Sequence, residues 1–184
     1  MTDGNGFWKV CEALDCELRI ELLRYLMAVE KSEFLCVNEL AEKFQVSAAA
    51  MSVHLKKLAM VGLVVSKRAD RRVYYRAFAA TAEGERVLAS LRRTFESHPN
   101  AERFCELRKY AHALSHPRRH LIVRCLYEDP GLSLAELALR TEMPPQTADR
   151  LWGELEKAHI VDLNGVVISP EIESEATLLE LTLA

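Results

Sequence analysis

Basic side chains crowd into one short stretch of the chain, between residues 56 and 76. Seven stand there beside a single acidic residue, Asp70, although the whole chain carries a net charge of −3. They are Lys56, Lys57, Lys67, Arg68, Arg71, Arg72 and Arg76. Clustered ammonium and guanidinium groups attract phosphate whatever the total charge of the protein. The stretch therefore indicates binding to a polyanion such as nucleic acid.

Cysteine is the residue type best suited to metal or redox chemistry, and the candidates here are Cys11, Cys16 and Cys36. A thiolate metal site needs several soft ligands close together. On one α-helix, Cys11 and Cys16 would point about 140° apart. His116 and His120 have a spacing that could hold a metal on a helix, but arginines that repel a cation surround them. We expect reduced, structural thiols, no metal site and no cofactor.

Catalytic motifs are not visible in the sequence, which holds neither a glycine-rich phosphate loop nor a nucleophile motif. We therefore expect a protein that is not an enzyme. No apolar run reaches the length of a membrane span, and the first residues lack the layout of a signal peptide. These patterns predict a cytoplasmic protein with no membrane partner.

Two predicted helices and a hairpin position the basic residues. Residues 37–44 form a short helix and residues 48–61 a longer one, which Ser47 caps and Gly62 ends. Met51, Leu55 and Leu58 share one stripe of the longer helix and are expected to be buried. The β-prone segments 63–65 and 73–75 flank a charged tip, which predicts a hairpin with a basic end. Helix-turn-helix followed by hairpin is a winged helix-turn-helix, whose second helix fits the DNA major groove.

The apolar pattern of the chain occurs twice. Residues 13–19 match residues 113–119 at an offset of 100, and residues 38–41 match residues 135–138 at an offset of 97. A shared pattern broken by one loop-sized gap predicts a shared fold. The expected domains are a DNA-binding winged helix at 1–98 and a second, divergent winged helix at 99–184 with a regulatory or interaction role. The fold class is mainly α with small β hairpins (α+β).

The second copy has a predicted element for each element of the first. Helices are expected at 101–114 and 117–128, a short helix after the capping box of Ser133 and Glu136, and a helix from 144 to about 158. A hairpin around Asn164 and Gly165 follows, then a short helix at 172–183. The stretch 146–170 carries two basic and four acidic residues, so we expect no DNA contact from this copy.

The turn, the second helix and the wing together resemble the ArsR family of winged-helix repressors. The residues that carry the resemblance are 39–44, 46–47, 51–52, 54–58, 62–64 and 72–76. The resemblance covers about residues 10–95, and it implies DNA contacts from the recognition helix and dimerisation through terminal helices. Residues 70–72 and 81–84 also resemble the MarR family. Ala48, Ala49 and Val53 depart from the polar residues that the ArsR family usually carries, and residue 38 lacks its second metal-sensing cysteine.

The resulting hypothesis is a sequence-specific transcriptional regulator, a repressor, that contacts double-stranded DNA with helix 48–61 and the basic wing, residues 66–76. The expected DNA-binding residues are Ser47, Ala48, Ala49, Ser52, Val53, His54, Lys56, Lys57, Lys67, Arg68, Arg71, Arg72 and Tyr74. A homodimer is expected, with a seam of apolar residues from helices 7–29 and 82–97. The alternatives are a tandem winged-helix protein-interaction module and a MarR-like ligand-responsive regulator. A pairing of the two copies within one chain also stays open, and no effector is identified.

Overall fold

The computed structural model describes residues 7–30, 33–97, 102–162 and 165–166. The chain divides into two compact units. The first unit comprises Cys16–Phe104, and the second unit joins the residues up to Asp15 to those from Cys105 onward. The domains expected at 1–98 and 99–184 stay a prediction. The structure differs from it at the N-terminus, because the residues up to Asp15 group with the second unit.

The helix predicted over 7–29 is wrong as a single element. The structure has α1 (Phe7–Leu14) and α2 (Glu17–Ala28), separated at Asp15 and Cys16. Cys16 is the N-cap of α2 and has an extended backbone, with φ −165° and ψ 119°. The extended residue breaks the helix and lets α1 pack into a different unit from α2.

The first unit contains a three-stranded antiparallel sheet beside its helices. After α2 come β1 (Leu35–Cys36), α3 (Val37–Lys43), α4 (Ala48–Met60), β2 (Val64–Ala69), β3 (Arg72–Ala77) and α5 (Ala82–Ser97). The strand order is β1-β3-β2, so β3 is central. The hairpin β2–β3 is the predicted wing hairpin, and its strands extend further toward the tip than the sequence indicated. The strand β1 was not predicted, because two residues carry no alternating pattern.

Local signals explain how these elements begin and end. Ser47 caps α4, since its hydroxyl accepts a hydrogen bond of 3.1 Å from the Ala50 N–H. Gly62 follows α4 with a φ of +71°, a conformation that glycine adopts without steric cost. Thr81 accepts a bond of 3.0 Å from the Gly84 N–H at the start of α5. The roles of Ser47 and Gly62 were predicted, and together with Thr81 they give the turn, the helix and the wing in the expected order.

Four further helices and a short hairpin follow α5; the first of these helices begins in the last residues of the first unit, and the other elements belong to the second unit. The elements are α6 (Glu102–Leu114), α7 (Pro117–Glu128), α8 (Leu134–Arg140), α9 (Pro145–Lys157), β4 (Val161–Asp162) and β5 (Gly165–Val166). The predicted capping box is present, because the Ser133 N–H donates to Glu136 at 2.9 Å and the Glu136 N–H donates to the Ser133 hydroxyl. Gly165 pairs with Asp162, so it lies in a strand and not in the predicted turn. The helix predicted at 172–183 lies outside the described residues.

Backbone hydrogen bonds of the first unit recur in the second at the two offsets of the sequence repeat. Three of the recurring bonds, each at the same place in its turn or helix start and with nearly the same length, illustrate the match. The Val46 N–H donates to the Ala41 carbonyl at 3.0 Å, and the Met143 N–H donates to Ala138 at 3.0 Å. Likewise, the Leu63 N–H donates to Leu58 at 3.1 Å and the Ile160 N–H to Leu155 at 3.0 Å. At the helix starts, the Ile20 N–H donates to Cys16 at 3.1 Å and the His120 N–H to His116 at 3.0 Å.

The fold class is confirmed as mainly helical with small antiparallel sheets, consistent with a winged helix. Within the part of the chain that is described, the helices are too short or too polar to cross a bilayer. The core of the first unit combines α2, α4, α5 and the sheet, and its largest fully buried side chains include Leu22, Leu23, Met51, Leu55, Leu58 and Leu91. This core holds one side of α4 and leaves the other side exposed.

Candidate nucleic-acid interface

The helix α4 is amphipathic in the manner that a groove-binding helix requires. Met51, Leu55 and Leu58 are completely buried, as predicted. The predicted contact residues of this helix are exposed or half-buried; exposed are Ser47, Ala48, Ala49, Val53, Lys56 and Lys57, and half-buried are Ser52 and His54. The core therefore fixes the helix from behind while its outer face stays available to a ligand.

His54 lies at the edge of this outer face. Its Nδ1 atom is buried and has no hydrogen-bond partner among the described residues. Burial of the ring, together with the positive charges of Arg19 and Lys57, lowers the pKa of His54 below its ordinary value of 6.5. The imidazole is therefore neutral at pH 7 in the free protein. The positive charge of this part of the surface comes from arginine and lysine.

The tip of the wing is a two-residue turn formed by Asp70 and Arg71. Their φ angles are +48° and +66°, and Ala69 pairs with Arg72 across the turn. Positive φ at both central residues is the type I′ arrangement, whose twist matches that of the flanking strands. A non-glycine residue in this region carries backbone strain. The turn holds Arg71 and Arg72 at the end of the hairpin, where both are exposed.

The cations nearer the base of the wing pack on aromatic rings. Lys67 Nζ lies 4.1 Å from the ring centroid of Phe34, and the Arg76 guanidinium carbon lies 4.8 Å from the rings of both Phe34 and Phe78. Such contacts hold a cation against the protein surface. Lys67 keeps an exposed side chain, while Arg76 is half-buried. Arg76 therefore packs against the aromatic rings beside the sheet, although it belongs to the basic stretch of the sequence.

Tyr74, the remaining predicted contact residue, occupies the central strand of the sheet. It pairs with Lys67 on β2 and with Cys36 on β1, and it is half-buried. The wing thus presents its basic residues in two groups. Arg68, Arg71 and Arg72 stand exposed toward the tip, and Lys67 lies beside Tyr74 nearer the base.

The equivalent surface of the second unit has its charges paired. Glu154 on α9 accepts hydrogen bonds of 2.5 Å from Arg119 and from Arg150. Partial burial alone would raise the pKa of Glu154, but the hydrogen bond and charge of Arg119 and the charge of Arg150 lower it below its ordinary value. Arg140 pairs in the same way with Glu128 at 2.7 Å. Cations that already have a carboxylate partner bind phosphate poorly.

Residues 16–66 match the family model described as bacterial regulatory protein, arsR family. The match runs from the start of α2 through α3 and α4 into β2, which are the elements that build the interface above. It supports a DNA-binding transcriptional regulator with an ArsR-type helix-turn-helix, and it favours DNA binding over catalysis. It covers somewhat more than a quarter of the chain and includes neither the wing tip nor α6–α9. No curated protein and no solved structure gives a significant match to the chain.

The three cysteines considered as ArsR-type metal ligands do not form a cluster. In the described residues, no group of three or more His, Cys, Asp or Glu side chains is placed to hold a metal ion. Cys11 is buried, and burial raises the pKa of its thiol far above the ordinary value of 9.0. Cys36 is buried at the N-cap of α3, where its backbone N–H donates to Glu39 at 2.8 Å. Cys16 is the N-cap of α2.

Proposed function

We propose that the protein is a sequence-specific transcriptional repressor that contacts DNA with α4 and the wing of its first unit. The observation that carries the proposal is the arrangement of α4. Its buried stripe is fixed by the core, and its exposed side carries Lys56 and Lys57 beside a hairpin that ends in exposed arginines. A helix held this way enters the major groove, while basic residues of a wing contact the flanking phosphates.

The second unit is proposed as a divergent winged helix without DNA contacts. Its backbone hydrogen bonds repeat those of the first unit at offsets of 97 and 100, which supports descent by duplication. Its exposed charges differ, because Glu154 stands at the position of Lys57 and neutralises Arg119 and Arg150. The unit is therefore suited to a regulatory or protein-interaction role.

A homodimer on DNA is the proposed assembly, since a repressor with one basic unit per chain needs two chains to occupy two half-sites. The seam expected from the sequence lacks support. Phe7, Val10 and Leu14 of α1 and Val87 and Leu91 of α5 are each at most 5% exposed within the single chain. Trp8 and Phe95, also expected in the seam, are half-buried. A dimer through these helices would therefore rest on those two residues, or the dimer would use other surfaces or form on DNA.

DNA binding by the full chain tests the proposal directly. We expect the logarithm of affinity for duplex DNA to fall linearly with the logarithm of salt concentration, by about 0.9 for each phosphate contact. A duplex selected from a random library should bind roughly 10³-fold or more tightly than an unselected one. Absence of any salt-dependent binding would favour the protein-interaction module instead. A cytoplasmic location is part of the proposal, and a ligand-responsive regulator of the MarR kind remains the alternative for its control.

A further inference from the structure

The exposed side of α4 carries apolar residues in its middle and at its C-terminal end. Val53 is 54% exposed and Met60 is 86% exposed. At 100° per residue, Val53 points about 200° away from Leu55, which is completely buried. Ala49, one turn earlier, lies on the same face as Val53. The residues that face away from the core are therefore mainly methyl-bearing side chains.

The helix α9 is the counterpart of α4 in the second unit, for which no DNA contact is proposed, so its residues provide a comparison for the exposed face of α4. Both helices have 13 residues, and their positions correspond at an offset of 97. Polar residues stand where α4 has small or apolar ones; Gln146 corresponds to Ala49, Asp149 to Ser52, Arg150 to Val53 and Lys157 to Met60. A solvated helix face normally carries polar residues. The apolar face of α4 therefore indicates a contact surface.

The partner that suits this surface is the floor of the major groove. Lys56 and Lys57 flank the apolar residues on α4, and the basic wing follows, so the surroundings favour a polyanion over an apolar protein face. Among groups exposed in the major groove, the apolar one is the 5-methyl group of thymine. A methylated cytosine carries the same group at the same ring position.

We infer that α4 recognises the 5-methyl groups of pyrimidines in the major groove, with Val53 and Ala49 as the specificity-determining residues. The inference rests on the proposed function and names the chemistry of its recognition. The two side chains have no hydrogen-bond donor or acceptor, so they cannot contact the polar edges of bases. Val53 and Ala49 can gain only from apolar contact, and the pyrimidine methyl supplies it.

The test uses the full chain and a duplex selected from a random library by that chain. Thymines of the selected site are replaced one at a time by deoxyuridine, which removes a methyl group and keeps every hydrogen-bonding group. Burial of one methyl group corresponds to about a fourfold change in affinity. We expect at least one replacement to weaken binding by about that factor, and we expect this effect to be lost in Val53→Ala or in Ala49→Gly.

A matched control separates this contact from general apolar exposure. Leu139→Ala removes a side chain that is 81% exposed in the second unit, and it should leave the response to deoxyuridine unchanged. In a second arm, cytosine and 5-methylcytosine are compared at the responsive position. A gain on methylation identifies the methyl group itself, and a direct comparison of the thymine and 5-methylcytosine duplexes shows which of the two is the preferred source.

The outcomes distinguish failure of the inference from failure of the proposed function. Specific, salt-dependent binding that ignores every deoxyuridine replacement would overturn methyl recognition and leave DNA binding intact. A deoxyuridine effect that persists undiminished in both Val53→Ala and Ala49→Gly would assign the contact to other residues and overturn the role given to α4. A chain that binds no duplex would remove the proposed function and this inference with it.

Discussion

Gln45 and Glu142 stand 97 positions apart and adopt the same uncommon backbone conformation, with φ angles of +53° and +52°. Each lies in the tight turn between two helices, just before the residue whose N–H donates back to the short helix. Neither residue is glycine, so both turns carry the cost of a left-handed side chain. The turn geometry is common to both units, while the charges on the helices that follow differ.

A substitution at the wing tip should lower DNA affinity without lowering the free energy of unfolding. Replacing Arg71 by glycine removes a cation and also relieves a φ of +66°. We expect weaker binding to all duplexes, with the salt slope reduced by about 0.9, and a free energy of unfolding that is unchanged or raised by up to about 1 kcal/mol. Fluorescence anisotropy across a salt series and urea denaturation measure the two effects.

Arg72→Ala and Arg124→Ala complete this comparison. Arg72 is exposed in the wing, and its loss should reduce the slope as Arg71 does. Arg124 is a surface arginine of α7 that pairs with Glu128 at 3.3 Å, and its loss should leave DNA binding unaltered. If the wing variants bind with wild-type affinity and slope, the hairpin does not contact phosphate.

The ion pairs of Glu154 should make the second unit sensitive to acid. The pKa of Glu154 lies below its ordinary 4.5 in the folded chain. The unfolded chain therefore binds the proton more tightly, and the carboxylate stabilises the fold above about pH 5. That contribution is lost as the pH falls through the folded-state pKa. Because Glu154 is 34% exposed and solvent screens its ion pairs, Glu154→Gln should reduce the free energy of unfolding by only about 0.2–1 kcal/mol at pH 7.

The same substitution should cost progressively less as the pH falls through the folded-state pKa, because the wild-type carboxyl then becomes protonated too. Glu156→Gln is the control, since that side chain is exposed on the same helix and has no ion pair among the described residues. Thermal unfolding of the three proteins between pH 3 and 7 supplies the measurement. An equal loss for Glu154→Gln at both ends of the range would mean that packing, and not charge, explains the effect.

Replacement by alanine should change the free energy of unfolding in opposite directions at Gly84 and at Gly153. A Cβ atom at Gly84 would lie 3.0 Å from the carbonyl oxygen of Gly62 and 3.2 Å from the Thr81 hydroxyl, whereas one at Gly153 meets nothing within 4 Å. We expect Gly84→Ala to destabilise the fold by about 1–3 kcal/mol. Gly153→Ala in α9 should stabilise it by about 0.5–1 kcal/mol. Calorimetric melting temperatures that shift in the same direction would contradict the local geometry.

The rate at which each cysteine is alkylated should follow the exposure of its side chain. Cys105 is exposed, while Cys11 and Cys36 are at most 2% exposed. Timed alkylation followed by mass spectrometry should label Cys105 first, and label Cys11 and Cys36 only after unfolding.

Separately, DNA binding should be insensitive to thiol-binding metals. Zinc, cadmium or arsenite at one equivalent should not release DNA. Release that is abolished by Cys36→Ser would instead make Cys36 a ligand.

The sequence was informative wherever a local signal decides the structure. Ser47, Gly62 and Thr81 each act through their own hydrogen bond or φ angle, so the ends of α4 and the start of α5 were predicted closely. The break before Cys16 escaped prediction, because neither proline nor glycine marks it and the heptad-like spacing of apolar residues continues across it.

The geometry of the candidate interface was predictable in outline and not in detail. The apolar stripe of α4 showed which side is buried, and the basic residues showed where the wing lies. The type I′ turn at Asp70 and Arg71 has no glycine to mark it, so its geometry came only from the strand pairing. Nothing local indicated that Phe34 and Phe78 hold Arg76, because Phe34 reaches it from outside the hairpin.

The break between α1 and α2 has a consequence for synthesis on the ribosome. Asp15, at the end of α1, accepts a hydrogen bond from His112 at 2.8 Å, across 97 residues of sequence. At about 5–20 residues per second, the first segment to emerge waits roughly 5–20 s before its packing partner is translated. The stripe of Phe7, Val10 and Leu14 is still uncovered during that wait. Translation pauses after residue 104 should therefore prolong the interval in which nascent chains are prone to aggregate.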